Sequence, residues 1–141
     1  MKTIFCLLFL IVQSQAQENW NIVNSGTTDN LTDVCFIDNQ YGWIIGISGT
    51  LLRTTDAGES WHSTIIPYQN LNAMQFVNQN IGWIVGYNGL IIKSTDGGST
   101  WFEQIGGQDY TLRDLHFFND QVGIICGGGR LLEYRKNTKD K

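Results

Sequence analysis

Short apolar stretches of five or six residues, broken by clusters of Gly, Asn and Asp, run along the chain from residue 31 onward. In the first stretch, LTDVCF at 31–36, Val34 and Phe36 alternate with polar neighbours, the period-two spacing that buries one face of a strand. The stretch GWIIG follows at 42–46 and GTLLR at 49–53, and then the pattern begins again. LTDVCF aligns with LNAMQF at 71–76 and LRDLHF at 112–117; GWIIG aligns with GWIVG at 82–86 and GIICG at 123–127. GTLLR aligns with GLIIK at 89–93 and GRLLE at 129–133, and Trp20, Trp61 and Trp101 keep the same step, which is 40 or 41 residues at every landmark. Four independent landmarks on one period identify an internal repeat.

Each unit predicts four strands of ordinary length, about six residues. The segments DNQ at 38–40, NQN at 78–80 and NDQ at 119–121 turn the chain into the second strand, and G46-I-S-G49, G86-Y-N-G89 and G127-G-G129 turn it into the third. Glycine at those second turns supplies positive φ without a steric penalty. Four antiparallel strands repeating every ~40 residues predict the blades of a β-propeller, an all-β fold. The boundaries expected are a lone fourth strand at 20–30, repeat 1 at 31–70, repeat 2 at 71–111 and an incomplete repeat 3 at 112–135, followed by a polar tail at 136–141.

Between the third and fourth strands stand TTDAGESW at 54–61 and STDGGSTW at 94–101. Each offers one repeated carboxylate, Asp56 or Asp96, too few hard ligands for a calcium cage of six to eight oxygens. Neither runs into a helix after a glycine-rich Lys-Ser/Thr loop, so a phosphate cradle is not expected. The remaining reading is a turn. Asp56 and Asp96 accept backbone N–H bonds, Gly58 and Gly98 take the left-handed angle, Ser60 and Thr100 add hydroxyl bonds, and Trp61 and Trp101 bury a ring against the blade. Thr54 and Ser94 open the two motifs.

These residues resemble Asp-box repeats, also called bacterial neuraminidase repeats. With the L-x-x-[VML]-x-F and GWI[IV]G strands the pattern is similar to the photosystem II stability and assembly factor-like propellers, over residues 20 to about 134. That resemblance implies boxes that are structural hairpins at the outer rim, away from the ligand face. It also implies a non-catalytic scaffold with a protein partner and no cofactor. The third repeat departs from the pattern, since GRLLEYR runs into the tail without a box.

Composition agrees with short strands and glycine turns: 16 glycines, one proline, 12% aromatic and 16% charged residues. The formal charge of −4 supplies no basic field for a phosphate backbone, and nucleic acid is not an expected partner. The first 16 residues, MKTIFCLLFLIVQSQA, carry Lys2, an apolar run to Val12, and Ser14 and Ala16 at the spacing of a cleavage site. A cleaved signal peptide is expected, with no membrane span after cleavage and a secreted, periplasmic or cell-surface location. Cys6 lies inside the run, where a lipid-anchored cysteine is not indicated. Cys35 and Cys126 remain, read as packed thiols or as a bridge.

Sialidases share Asp boxes, so a glycosidase is the competing class. Similarity to them implies an arginine cluster and an Arg-Ile-Pro element, whereas the proline here follows Ile65 and Ile66, and the arginines are Arg53, Arg113, Arg130 and Arg135. Asp33 and Asp114 recur at equivalent positions, where paired carboxylates would be needed, and read as solvated aspartates. His62 and His116 are strand residues without a partner, and no metal or catalytic set is expected. Trp43 and Trp83 share one strand position and read as inter-blade core; Tyr68, Tyr87 and Tyr110 fall in turns and are candidates for a ligand face. A carbohydrate-binding propeller and a structural repeat of a larger surface protein complete the alternatives.

Trp20 belongs to a fourth strand without its first three, and the last unit lacks its fourth. The segment W20-N-I-V23 could therefore pair with G129–Tyr134. Three blades fall below the usual four to eight. Either two copies join as a homodimer of six blades or the chain is a piece of a longer propeller, and the abrupt stop at YRKNTKDK favours the second.

Overall fold

The computed structural model describes residues 20–68, 70–106 and 109–136. The expected signal segment and residues 137–141 of the tail lie outside them. Leu31–Phe36 (β1), Gly42–Gly46 (β2), Thr50–Thr54 (β3) and His62–Ile65 (β4) form an antiparallel sheet in chain order. Leu71–Phe76 (β5), Gly82–Gly86 (β6), Ile91–Ser94 (β7) and Phe102–Glu103 (β8) form the second sheet. Leu112–Phe117 (β9), Val122–Gly127 (β10) and Arg130–Arg135 (β11) form a third of three strands, ordered β11-β10-β9. These sheets are the blades of a partial β-propeller, with β1, β5 and β9 side by side as inner strands.

The turns are chemically repeated. Asp38 Oδ1 accepts the N–H groups of Gln40 and Tyr41, each at 2.8 Å. Asn78 Oδ1 does the same for Asn80 and Ile81 at 2.9 and 2.8 Å, and Asn119 Oδ1 for Gln121 and Val122 at 2.8 and 3.0 Å. Each is an Asx turn that hands the chain to the second strand. The following turn demands glycine for two reasons at Gly49: its φ is +80°, and an added Cβ would meet the Ile66 carbonyl oxygen at 2.2 Å.

The Gly-Trp pair opening β2 and β6 has a packing cause. A Cβ on Gly82 would lie 2.6 Å from the Phe76 ring, so the glycine lets Phe76 of the neighbouring strand fold flat across the backbone. Phe76 then stacks on Trp43 of the preceding blade at 3.8 Å between centroids and 6° between planes. Phe117, lying over Gly123, stacks on Trp83 in the same way at 3.7 Å and 11°. Each such Phe contributes about 1.5–3 kcal/mol through burial and about 1 kcal/mol more through the aromatic pair. Two cores result, one between blades 1 and 2 around Trp43, Leu71, Met74 and Phe76, the other between blades 2 and 3 around Trp83, Val85, Leu112 and Phe117.

Side chains of one inner strand also bond the backbone edge of the next. Asp33 Oδ2 accepts the Met74 N–H at 2.7 Å, and Cys35 Sγ accepts that of Phe76 at 3.4 Å. Gln75 serves both groups of Phe117, donating to its carbonyl at 3.0 Å and accepting its N–H at 2.6 Å, while Asn72 donates to the Leu112 carbonyl at 2.6 Å. Inner strands that do not pair directly are thereby satisfied.

Two expectations need correction at the ends. Residues 20–30 form no strand, and Trp20 is fully exposed, so the outer strand of blade 3 is not completed from the N-terminal side of the same chain. A short irregular path held by local Ser25, Thr27 and Asp29 bonds, with Asp29 accepting from Thr50 Oγ1, leaves this segment at the loop end of blade 1. Cys126 is exposed and not a packed thiol, because no described residues pack on its side of blade 3; both cysteines are free. Cys35 is half-buried, and desolvation raises its thiol pKa. The open edge at β11 carries Arg130, Glu133 and Arg135, the last two paired at 2.6 Å, a charged edge of the kind that resists strand addition.

Candidate functional site

The two ends of the blades differ in chemistry. At one end lie the Asx turns and the motifs 54–61 and 94–101. In the first motif Asp56 Oδ1 accepts the Ser60 N–H at 3.0 Å and the Thr54 hydroxyl at 2.7 Å, and Asp56 Oδ2 accepts the Ser60 hydroxyl at 2.5 Å. Thr54 Oγ1 in turn accepts the N–H groups of Asp56 and Gly58 at 3.2 and 3.0 Å. The second motif repeats every bond with Ser94, Asp96, Gly98 and Thr100, at 2.6 to 3.3 Å. Gly58 and Gly98 have φ of +86° and +90°. Hydrogen bonds from the Ser60 hydroxyl and amide and the Thr54 hydroxyl hold the Asp56 carboxyl at about 2. At Asp96 burial works in the opposite direction, but the Thr100 and Ser94 bonds prevail and its pKa is also lowered.

Each motif is tied to its own blade by Ala57 N–H to the Gln40 carbonyl at 3.1 Å and Gly97 N–H to the Asn80 carbonyl at 2.9 Å. Trp61 and Trp101 meet Phe36 and Phe76 edge-on at 6.0 and 5.9 Å. Blade 3 has no such Trp among its described residues. There Tyr134, at the register position of Thr54 and Ser94, lays its ring against Phe117 at 5.4 Å and Trp83 at 5.9 Å. Lys93 Nζ sits 4.7 Å over Trp83 and 3.4 Å from the Tyr134 hydroxyl. Sequence reasoning missed Tyr134; the signal available was a large ring at a position that is otherwise a small hydroxyl residue.

At the opposite end lie the turns 46–50, 86–90 and 127–130 and the described linker residues 65–68, 70–71, 104–106 and 109–111. Tyr87 N–H donates to the Asn70 carbonyl at 3.2 Å and Gly89 N–H to the Tyr110 carbonyl at 2.7 Å, so the second loop of blade 2 is pinned to the linkers on either side of that blade. Tyr68, Tyr87 and Tyr110 all lie on these loops, Tyr87 half exposed. Beside Tyr110 is a cleft of about 380 Å³ lined by Gly106, Tyr110, Arg130, Leu131 and Leu132. The Arg130 guanidinium stands 5.2 Å over the Tyr110 ring, leaving a cation and an aromatic edge at its mouth. Such a cleft is large enough for one or two side chains of a longer ligand.

The remaining candidates scatter. Arg53 and His62 are cross-strand partners on β3 and β4, near the motif end, and Arg53 Nε is buried without a partner among the described residues. Arg113 lies on β9, and Arg130 and Arg135 occupy opposite ends of β11, so the arginines do not share one end of the blades. Asp33 is engaged with Met74, while Asp114 bonds its neighbour Leu115 N–H at 2.8 Å. His116 lies edge-on to Phe118 at 5.0 Å. No group of three or more His, Cys, Asp or Glu among the described residues could hold a metal ion. No helix among them is long and apolar enough to cross a membrane.

Comparison with known proteins places these features in a family. The sequence model described as photosynthesis system II assembly factor YCF48 matches residues 12–106, about two thirds of the chain. Photosystem II assembly protein Ycf48 of Thermosynechococcus vestitus is 38% identical over 42 residues, 30% of this chain and 12% of that protein. The photosystem II assembly lipoprotein Ycf48 of a Nostoc species is 36% identical over 59 residues, 41% of this chain and 17% of the relative. Among solved structures, YCF48 bound to D1 peptide superposes with a TM-score of 0.71 at 24% identity, covering 89% of this chain and 42% of that one. YCF48 from Cyanidioschyzon merolae gives 0.63 at 20% identity, covering 77% and 38%. The chain thus spans less than half the length of these solved relatives, and its matches take in under a fifth of the two curated proteins. With a family model matching well over half of its residues and a fold shared with those propellers, the chain belongs to the Ycf48 family of photosystem II assembly factor-like, bacterial neuraminidase repeat propellers.

Proposed function

We propose that the chain is a non-catalytic binding scaffold that holds an extended segment of a partner protein against its tyrosine-bearing loop end during assembly of a larger complex. The observation that carries this reading is that Tyr68, Tyr87 and Tyr110 lie on loops of one end, where Tyr110 and Arg130 line a cleft. Tyrosine offers a rigid amphipathic contact at small entropic cost, and arginine offers a planar cation; both are enriched at binding hot spots. The two box motifs are structural in this reading, because Asp56 and Asp96 spend their oxygens inside their own loops. A relative whose structure holds a D1 peptide supports a peptide ligand, and relatives named lipoproteins support an exported, envelope-associated location.

The test is a fluorescence titration of the purified chain with a D1 peptide and with a scrambled peptide of equal composition. Tyr110→Ala and Arg130→Ala are each expected to weaken binding by about 1–2 kcal/mol, roughly five- to thirtyfold. Arg53→Ala, at the other end, should leave it unchanged. Binding that is lost with Arg53→Ala and retained with the other two would move the site to the motif end and overturn the assignment.

A further inference from the structure

The inner-strand face that is buried in blades 2 and 3 is bare in blade 1. Leu71, Met74 and Phe76 are 1%, 5% and 3% exposed, and Leu112, Leu115 and Phe117 are 0%, 8% and 2%. Their equivalents Leu31, Val34 and Phe36 are 42%, 57% and 44% exposed. Leu31, Val34 and Ile44, with Thr32 and Asp33, line an almost wholly apolar groove of about 460 Å³. In the two buried cases the occupant is the far side of the preceding blade: Trp43, Ile45 and Leu51 against blade 2, and Trp83, Val85 and Ile91 against blade 3. Blade 3 presents the same register positions as Ile124, Cys126 and Leu131, the last 72% exposed.

The polar ladder is open at the same two places. Inner strand β1 gives Asp33 and Cys35 to β5, and β5 gives Asn72 and Gln75 to β9. On β9 the corresponding residues are Arg113, Asp114 and His116, all exposed. Asp114 caps Leu115 through Oδ1, as Asp33 caps Val34 through Oδ1 at 2.8 Å while giving Oδ2 to the next blade. A cation and an imidazole therefore stand at the spacing that in the other blades meets the Leu carbonyl and the Phe backbone, whereas the fourth-position N–H of β1, that of Val34, is already held by Asp33 Oδ1.

We propose that blade 1 of one copy receives blade 3 of a second copy, continuing the inter-blade interface head to tail. Leu131 and Ile124 enter the groove over Val34 and Phe36. Arg113 and His116 bond the backbone of the second copy's β1 at the Leu31 carbonyl and beside Phe36. The contact joins unlike faces, so two copies that close form a ring of six blades, and copies that do not close form an open series. It is a face-to-face packing of sheets and needs no strand from residues 20–23.

Sedimentation equilibrium of the purified full chain over a concentration series tests this, with three variants at exposed positions that the isolated chain does not need for folding. Val34→Lys and Leu131→Glu each set a charge into the dry part of the contact and should weaken association at least about tenfold. An equimolar mixture of the two variants should recover association, because the introduced ammonium and carboxylate then face each other across one interface; the equivalents Met74 and Leu51 share one core. His116→Ala should weaken it by a smaller factor. Dimers or longer oligomers that respond in this way support the proposal. A monomer at all concentrations, or association indifferent to both charge variants, overturns it, and neither result bears on peptide binding at the loop end.

Discussion

Trp43 and Trp83 occupy the same position in successive blades, and both are fully buried under a Phe ring, yet they differ in one bond. Trp43 Nε1 donates to the Gly97 carbonyl at 3.0 Å, while Trp83 Nε1 is buried without a partner among the described residues. Replacing each indole by a phenyl ring removes similar apolar area, and in a Lys93→Met background, which removes the cation over Trp83, the comparison isolates the hydrogen bond. Trp43→Phe is expected to cost about 1 kcal/mol more than Trp83→Phe, because it also strands a carbonyl at the blade junction. Urea denaturation of the two variants under one condition measures the difference; equal midpoint losses would show that the indole bond contributes nothing. The shared register of the two residues, visible in the repeat alignment, places them between blades. The bond is not visible there, because it depends on a carbonyl 54 residues further along.

At the scale of the hairpin, each box is a carboxylate surrounded by donors, and this makes its stability depend on acid. Asp56 is lowered from 3.8 to about 2 by the Ser60 hydroxyl and amide and the Thr54 hydroxyl. A carboxyl whose folded pKa is depressed contributes stability that is complete above its unfolded value and is lost as pH falls toward the folded one. The window is therefore pH 3.8 down to about 2, with Asp96 adding in the same direction. The denaturation midpoint should fall across that window, and the fall should be shallower in Asp56→Asn, which no longer titrates there. Parallel curves for the two proteins would mean that the box carboxylates do not support the fold. The donors of this turn were legible in Thr54, Ser60, Ser94 and Thr100, since hydroxyl residues at fixed offsets from an Asp have few other uses. Tyr134 was not legible, because its role arises only from tertiary packing: with no box Trp described over Phe117, the nearest large ring covers that side chain. The expected strand at 20–30 failed for a related reason. Its repeat position copies Trp61 and Trp101, but the Thr/Ser–Asp lattice that precedes those residues is absent before Trp20.

The whole molecule behaves as a short stack in which stability depends on the number of neighbours. Blade 2 is packed on both sides, and all five residues of β6 are buried. Blades 1 and 3 are packed on one side each, leaving β1 and β11 with mostly exposed patterns. In such quasi-linear assemblies each interface adds its own increment, so opening free energy should fall from the middle outward. Amide hydrogen exchange at low protein concentration is expected to be slowest in β5 and β6, faster in β2 and β10, and fastest in the outer strands β4, β8 and β11. Raising the concentration should slow exchange in β1 and β9 selectively, if a second copy covers Val34 and Phe36 and engages Arg113 and His116. A flat profile across the three blades would mean that they open as one unit. A gradient that ignores concentration would mean that the open faces stay bare in solution, and the one-sided packing of blade 1 would then set the lower limit of the molecule's stability.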